Sequence, residues 1–112
     1  MSKAILFVNL NKENARDLAD EIVLGLENLD FQTDVFTFKG ESNLSHDYNI
    51  AFSLGGDGTV LYTARAMSPL GVPIVPINMG TLGFIAAVRP ENWKQVFDSW
   101  LKIGRASCRE RV

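Results

Sequence analysis

Two glycine-bearing segments hold the residues of this chain best suited to chemistry. They are Gly55-Gly56-Asp57-Gly58-Thr59 and Asn78-Met79-Gly80-Thr81-Leu82-Gly83-Phe84. Each closely follows a short apolar run, Ile50 to Leu54 in the first case and Val72 to Ile77 in the second. A backbone without Cβ atoms lets a phosphate come close, and the free N–H groups at a helix start point at an anion along the favourable end of the helix dipole. The first segment leads into good helix formers from Thr59 to Met67, which Ser68-Pro69 ends, so strand, glycine turn and helix follow in the order a phosphate site needs. It is not the P-loop, because no Gly-Lys-Ser/Thr follows, and it is not the dinucleotide fingerprint, because GxGxxG is absent.

Asp57 has two readings. Asp-Gly is ordinary turn chemistry, with the carboxylate accepting from nearby backbone N–H groups as a helix cap. A carboxylate among phosphate-binding glycines can also accept a proton from an attacking hydroxyl or help hold a magnesium ion. Its place at a strand's carboxyl end, where open α/β sheets bind ligands, and the second glycine turn weigh toward the chemical role.

The elements that must position these residues are legible in the apolar pattern. Ala4 to Val8 is a continuous apolar run, as in a strand buried on both faces. Ala15, Leu18, Ala19, Ile22, Val23 and Leu26 share one helical face in a helix expected from Lys12, with Asn11 as its N-cap. Phe31 to Phe38 is aromatic and β-branched and predicts a second strand, followed by a polar loop from Gly40 to Asn49. Ile50 to Leu54 and Val72 to Ile77 are the third and fourth strands, with Pro73 and Pro76 implying imperfect pairing in the latter. Trp93, Val96, Phe97, Trp100 and Leu101 form a last helical stripe ending near Ile103, with Pro90 near its first turn. Strands alternate with helices, which predicts an α/β fold with an open, mostly parallel sheet and flanking helices.

The length of 112 residues is that of one domain, and 46% hydrophobic with 21% charged residues is an ordinary globular composition. The net charge of -2 argues against nucleic acid as a partner. The lone Cys108 can make neither an intrachain disulfide nor a cysteine zinc cluster, which fits a reducing, cytoplasmic setting. No apolar run approaches the roughly 20 residues that span a bilayer, so no membrane partner is expected. His46, alone in a polar loop, reads as a surface residue, and no metal ligands are assigned. The segment Arg105 to Val112 carries +2 without apolar periodicity; residues 1–104 read as the nucleotide-binding domain and 105–112 as foreign to it.

The pair of motifs, GGDGT at Gly55 to Thr59 and Asn78 to Phe84 some twenty residues later, resembles the signatures of NAD kinases. The first half is shared with diacylglycerol and sphingosine kinases; the Leu82-Gly83-Phe84 half is particular to NAD kinases. The resemblance spans residues 4–103 and implies a Rossmann-like amino-terminal domain that transfers the γ-phosphate of ATP to the 2′-hydroxyl of the adenosine ribose of NAD, with a divalent cation such as magnesium. It implies Asp57 as proton acceptor, with Gly55, Gly56, Gly58 and Thr59 against nucleotide phosphate. Leu61 and Phe84 match positions lining the NAD adenosine pocket, Asn78 and Gly80 shape the facing loop, and Asn9 and Lys12 are candidates to hold ATP phosphates. Tyr62 stands where many family members carry a basic residue. Family members continue into a mostly β second domain with much of the oligomer contact; by resemblance the full-length enzyme is a homo-oligomer, this chain alone is inactive, and part of the Trp93, Phe97 and Trp100 face is exposed. The alternatives are a lipid kinase fragment and a non-catalytic nucleotide-binding module.

Overall fold

The computed structural model describes residues 2–39, 47–79 and 88–111, with side chains described as far as residue 102. Four strands, β1 (Ser2–Val8), β2 (Phe31–Phe36), β3 (Ile50–Gly55) and β4 (Ile74–Asn78), form one sheet. The helices α1 (Ala15–Glu27), α2 (Asp57–Met67) and α3 (Trp93–Arg111) pack on it, with 3-10 turns at Ser68–Leu70 and Pro90–Asn92. All three strand pairings are parallel and the order is β2-β1-β3-β4. The expected α/β architecture is therefore present.

Burial on both faces explains the unbroken apolar runs. Ala4, Leu6 and Val8 of β1 and Ile50, Phe52 and Leu54 of β3 join a core with Ala15, Leu18, Ala19, Ile22 and Leu26 of α1 and Trp93 and Phe97 of α3. The alternate residues Ile5, Phe7 and Ala51 turn to the other face, with Phe36, Tyr48, Met67 of α2 and Val72. Each large apolar side chain fully buried in this way contributes about 1.5–3 kcal/mol. The α2 face is less apolar: Thr59 and Thr63 are buried there, and Thr63 Oγ1 donates to the Thr59 carbonyl at 2.7 Å.

Several local expectations are corrected. α1 begins at Ala15 behind Asn14, a left-handed residue with φ 66° that makes no side-chain cap; Asn11 instead donates its N–H to Asn9 Oδ1 at 3.0 Å, in the turn that precedes the helix. β2 stops at Phe36, and Phe38 takes φ 66°, which no strand residue adopts. Of the Trp93, Phe97 and Trp100 face, Trp93 and Phe97 are buried, packed against Phe52 and, for Phe97, Phe31, with ring centroids 5.5–6.2 Å apart, and only the half-buried Trp100 keeps some exposure. α3 runs past Ile103 to Arg111. The second glycine turn, from Gly80 through Phe84, and His46 lie outside the described residues. No helix among the described residues is long and apolar enough to cross a membrane.

Candidate functional site

The crossover from β1 through α1 to β2 leads one way across the sheet and that from β3 through α2 to β4 leads the other. The two diverge between β1 and β3, and the crevice this opens at the strands' carboxyl ends is where open α/β sheets take ligands. Asn9 follows β1 there and Gly55-Gly56-Asp57-Gly58 joins β3 to α2.

Backbone hydrogen bonds hold this edge together. Asn9 N–H donates to the Leu54 carbonyl at 2.9 Å and Met79 N–H to the Gly55 carbonyl at 3.1 Å, so the Leu54-Gly55 end of β3 is tied to the ends of both neighbouring strands. Lys12 N–H donates to the Asn9 carbonyl at 3.1 Å, closing the turn that places Lys12 above the glycines.

The glycines serve different purposes. A Cβ on Gly55 would collide with Thr59 Oγ1, lie 2.9 Å from Thr59 Cβ and 3.2 Å from Asn9 Cβ, so this glycine permits helix and loop to close on the strand end. This packing role is one the sequence reading did not give to Gly55. A Cβ on Gly56 would lie 3.9 Å from Lys12 Nζ, which puts the ammonium beside the turn. Gly58 faces open space and lines a cavity. Gly56 is the N-cap of α2 and supplies no side-chain cap, while half-buried Asp57 occupies the first helical turn, where the dipole favours a carboxylate. The turn thus combines a helix N-terminus, an ammonium and a carboxylate, a set suited to holding phosphate and receiving a proton.

The cavity beside this turn, of about 370 Å³, is lined by Asn9, Leu10, Asn11, Thr37, Phe38, Lys39, Gly58, Thr59 and Tyr62. Of the residues named from sequence, the structure brings Asn9, Gly58, Thr59 and Tyr62 together there, with Lys12 at the adjoining turn. Leu61 is exposed on α2, and Asn78 ends β4 on the opposite side of the glycine turn from the cavity. Gly80 and Phe84 lie outside the described residues. Thr37, Phe38 and Lys39 escaped the sequence reading because nothing local distinguishes them from the strand they follow; β1–β2 pairing brings them to the crevice. Among the described residues no group of three or more His, Cys, Asp or Glu side chains is placed to hold a metal ion.

A parallel sheet with a glycine-rich turn and a carboxylate at its switch point defines an open α/β domain whose candidate site lies at the strands' carboxyl ends. The family described as ATP-NAD kinase N-terminal domain matches residues 37–106, and the chain belongs to that family. Among its relatives, an NAD kinase of Treponema denticola is 40% identical over 97 residues, covering 84% of this chain and 34% of the relative. An NAD kinase of Treponema pallidum is 40% identical over 106 residues, covering 92% and 35%. The chain thus spans about a third of the length of these relatives. Among solved structures, glycerol dehydrogenase from Schizosaccharomyces pombe superposes with a TM-score of 0.57 at 17% identity, over 69% of this chain and 22% of that one, a likeness of fold alone.

Proposed function

We propose that this chain is the nucleotide-binding portion of an enzyme that transfers the γ-phosphate of ATP to the 2′-hydroxyl of the adenosine ribose of NAD, giving NADP and ADP. The observation that carries this reading is the position of Asp57 in the first turn of α2, at the crevice between β1 and β3, in a chain of the NAD kinase family. The Asp57 carboxylate accepts the proton of the 2′-hydroxyl as its oxygen bonds to the γ-phosphorus. The bond from that phosphorus to the oxygen bridging to the β-phosphate breaks, and its electron pair leaves with ADP. The N–H groups at the start of α2 and the Lys12 ammonium stabilise the charge on the transferring group. A divalent cation bound to the phosphates would supply further charge neutralisation, with Asp57 the carboxylate in reach.

Leu61, Asn78, Gly80 and Phe84 form the acceptor side in this reading, holding the NAD adenosine toward β4. The remaining two thirds of the relatives' length leaves room for further substrate contacts, so the 112 residues alone are expected to turn over little or nothing. The test is NADP formation from NAD, ATP and magnesium by the full-length gene product, with Asp57→Asn as control and diacylglycerol and sphingosine as competing acceptors. NADP formed by the wild type and abolished in the variant supports the reading. Phosphorylated lipid without NADP would replace it with the lipid kinase alternative.

A further inference from the structure

The cavity beside the glycine turn has a wall that phosphate chemistry does not use. Phe38 and Tyr62 stand at its lip with ring centroids 4.8 Å apart and planes at 72°, and both remain substantially exposed, at 39% and 44%. Behind them Phe36 stacks on Tyr62 at 5.6 Å and 18°, and meets Phe38 edge-on at 4.9 Å. Phe7 closes the cluster from β1, 5.4 Å from Phe36 and 5.9 Å from Tyr62. The two outer rings are therefore held from behind and open in front.

Phe38 also keeps a positive φ of 66°, a conformation that costs a bulky side chain on the order of 1–3 kcal/mol and persists where surrounding packing imposes it. The result is an aromatic ring turned to a cavity of about 370 Å³, within the usual range of about 300–1,000 Å³ for small-molecule sites. Polar groups of Asn9, Asn11, Thr37 and Lys39 share its lining. A second cavity, of about 310 Å³, is lined by Glu13, Asp17 and Glu21 and is electrostatically unsuited to a polyanion.

Position along the sheet gives the kinase reading two separate places for its two substrates. Asn78 lies on the β4 side of the glycine turn, whereas the cavity lies on the β1 and β2 side. Phosphoryl transfer needs attacking and leaving oxygens roughly in line, hence acceptor and donor on opposite sides of the transferred group. With the acceptor toward β4, the donor extends over Lys12 and Gly58 into the aromatic cavity. From this placement, which rests on the kinase reading above, we infer that Phe38 and Tyr62 form a stacking shelf for the purine base of the phosphoryl donor and select a base-bearing nucleotide over inorganic polyphosphate.

The experiment is steady-state kinetics of the full-length gene product carrying Tyr62→Ala, Tyr62→Phe, Tyr62→Leu or Phe38→Leu, with KM measured separately for ATP and NAD. Inorganic tripolyphosphate serves as a base-free competitor of ATP. Loss of either ring is expected to raise the ATP KM about tenfold, the order of one base–aromatic stack, with the NAD KM and the tripolyphosphate inhibition constant within about twofold of wild type. Tyr62→Phe should restore the ATP KM, and Tyr62→Leu, which keeps apolar bulk if the alanine variant fails to fold, should not. An unchanged ATP KM, a parallel rise in the tripolyphosphate constant, or a rise in the NAD KM instead would overturn the shelf. Should the wild type form no NADP at all, the kinase reading fails separately, and calorimetric titration of the same variants with ATP and with tripolyphosphate still decides whether the rings bind a base.

Discussion

The indole nitrogen of Trp93 donates to Glu21 Oε2 at 2.7 Å, so the first residue of α3 is clasped to the exposed side of α1 across the face of the sheet. The same indole lies over Gly25, where an added Cβ would stand 3.0 Å from its Cη2 atom. Helix propensity alone makes Gly25→Ala, inside α1, a stabilising change of about 1 kcal/mol. Overpacking against a buried ring costs about 1–3 kcal/mol, so the substitution is expected to destabilise or to give no gain. Chemical denaturation decides the sign, and a rise in stability near the full propensity value would show that the indole yields freely.

Gly55→Ala tests whether the strand end needs glycine for packing. Collision with Thr59 at the start of α2 and crowding of Asn9 are expected to cost about 1–3 kcal/mol. The double variant Gly55→Ala/Thr59→Ser, which removes the Thr59 methyl but keeps its hydroxyl, should recover only part of the loss, since the nearest obstruction is Oγ1. Full recovery would place the conflict at the methyl group instead.

Asp57 and Lys12 should fail in different ways. In the full-length gene product Asp57→Asn is expected to lower kcat by about a hundredfold or more with little change in KM, as for a group acting mainly in the transition state. Lys12→Met should instead raise the KM for ATP and the tripolyphosphate inhibition constant together, because an ammonium beside the turn acts on phosphate whether or not a base is attached. A nearly normal kcat for Asp57→Asn would remove it from proton transfer.

Ser53 is fully buried in β3, and its Oγ makes no hydrogen bond among the described residues. A hydroxyl desolvated without a partner costs about 1–3 kcal/mol, so Ser53→Ala should be neutral or stabilise by about 1 kcal/mol, measured by the urea midpoint. Tyr48 is the contrasting case. It is also buried, but its hydroxyl donates to Asp34 Oδ2 at 2.6 Å, and Tyr48→Phe should cost about 1.5–3 kcal/mol, the range for a hydrogen bond to a charged group.

What could be read in the sequence were the features set by local pattern. The unbroken runs at Ala4 to Val8 and Ile50 to Leu54 marked central parallel strands, because burial on both faces removes polar alternation. The spacing from Ala15 to Leu26 marked the buried side of α1, and the glycine segment marked the strand-to-helix turn. Features set by tertiary closure were hidden. Gly55 is demanded by Thr59 and Asn9, Phe38 leaves the strand by a left-handed turn that its residue type disfavours, and Trp93 is covered because Phe52 lies beneath it. Lys39 and Thr37 became cavity residues only through the register that pairs Phe7 with Phe36. Asp57 was conspicuous by its neighbours, whereas the aromatic shelf draws on three separate strands and helices, and no single window of sequence contains it.

β1 precedes both of its neighbours in the sequence yet runs through the interior of the sheet, flanked by β2 and β3. During synthesis it leaves the ribosome before both neighbours and must wait for more than forty further residues before the second of them, Ile50 to Leu54, can dock. The crevice therefore has no partial form, because one of its walls is made before the other exists. On the kinase reading, nucleotide present while the chain is being made can reward only the finished arrangement and is a selective ligand for completed folding rather than a guide to its early steps.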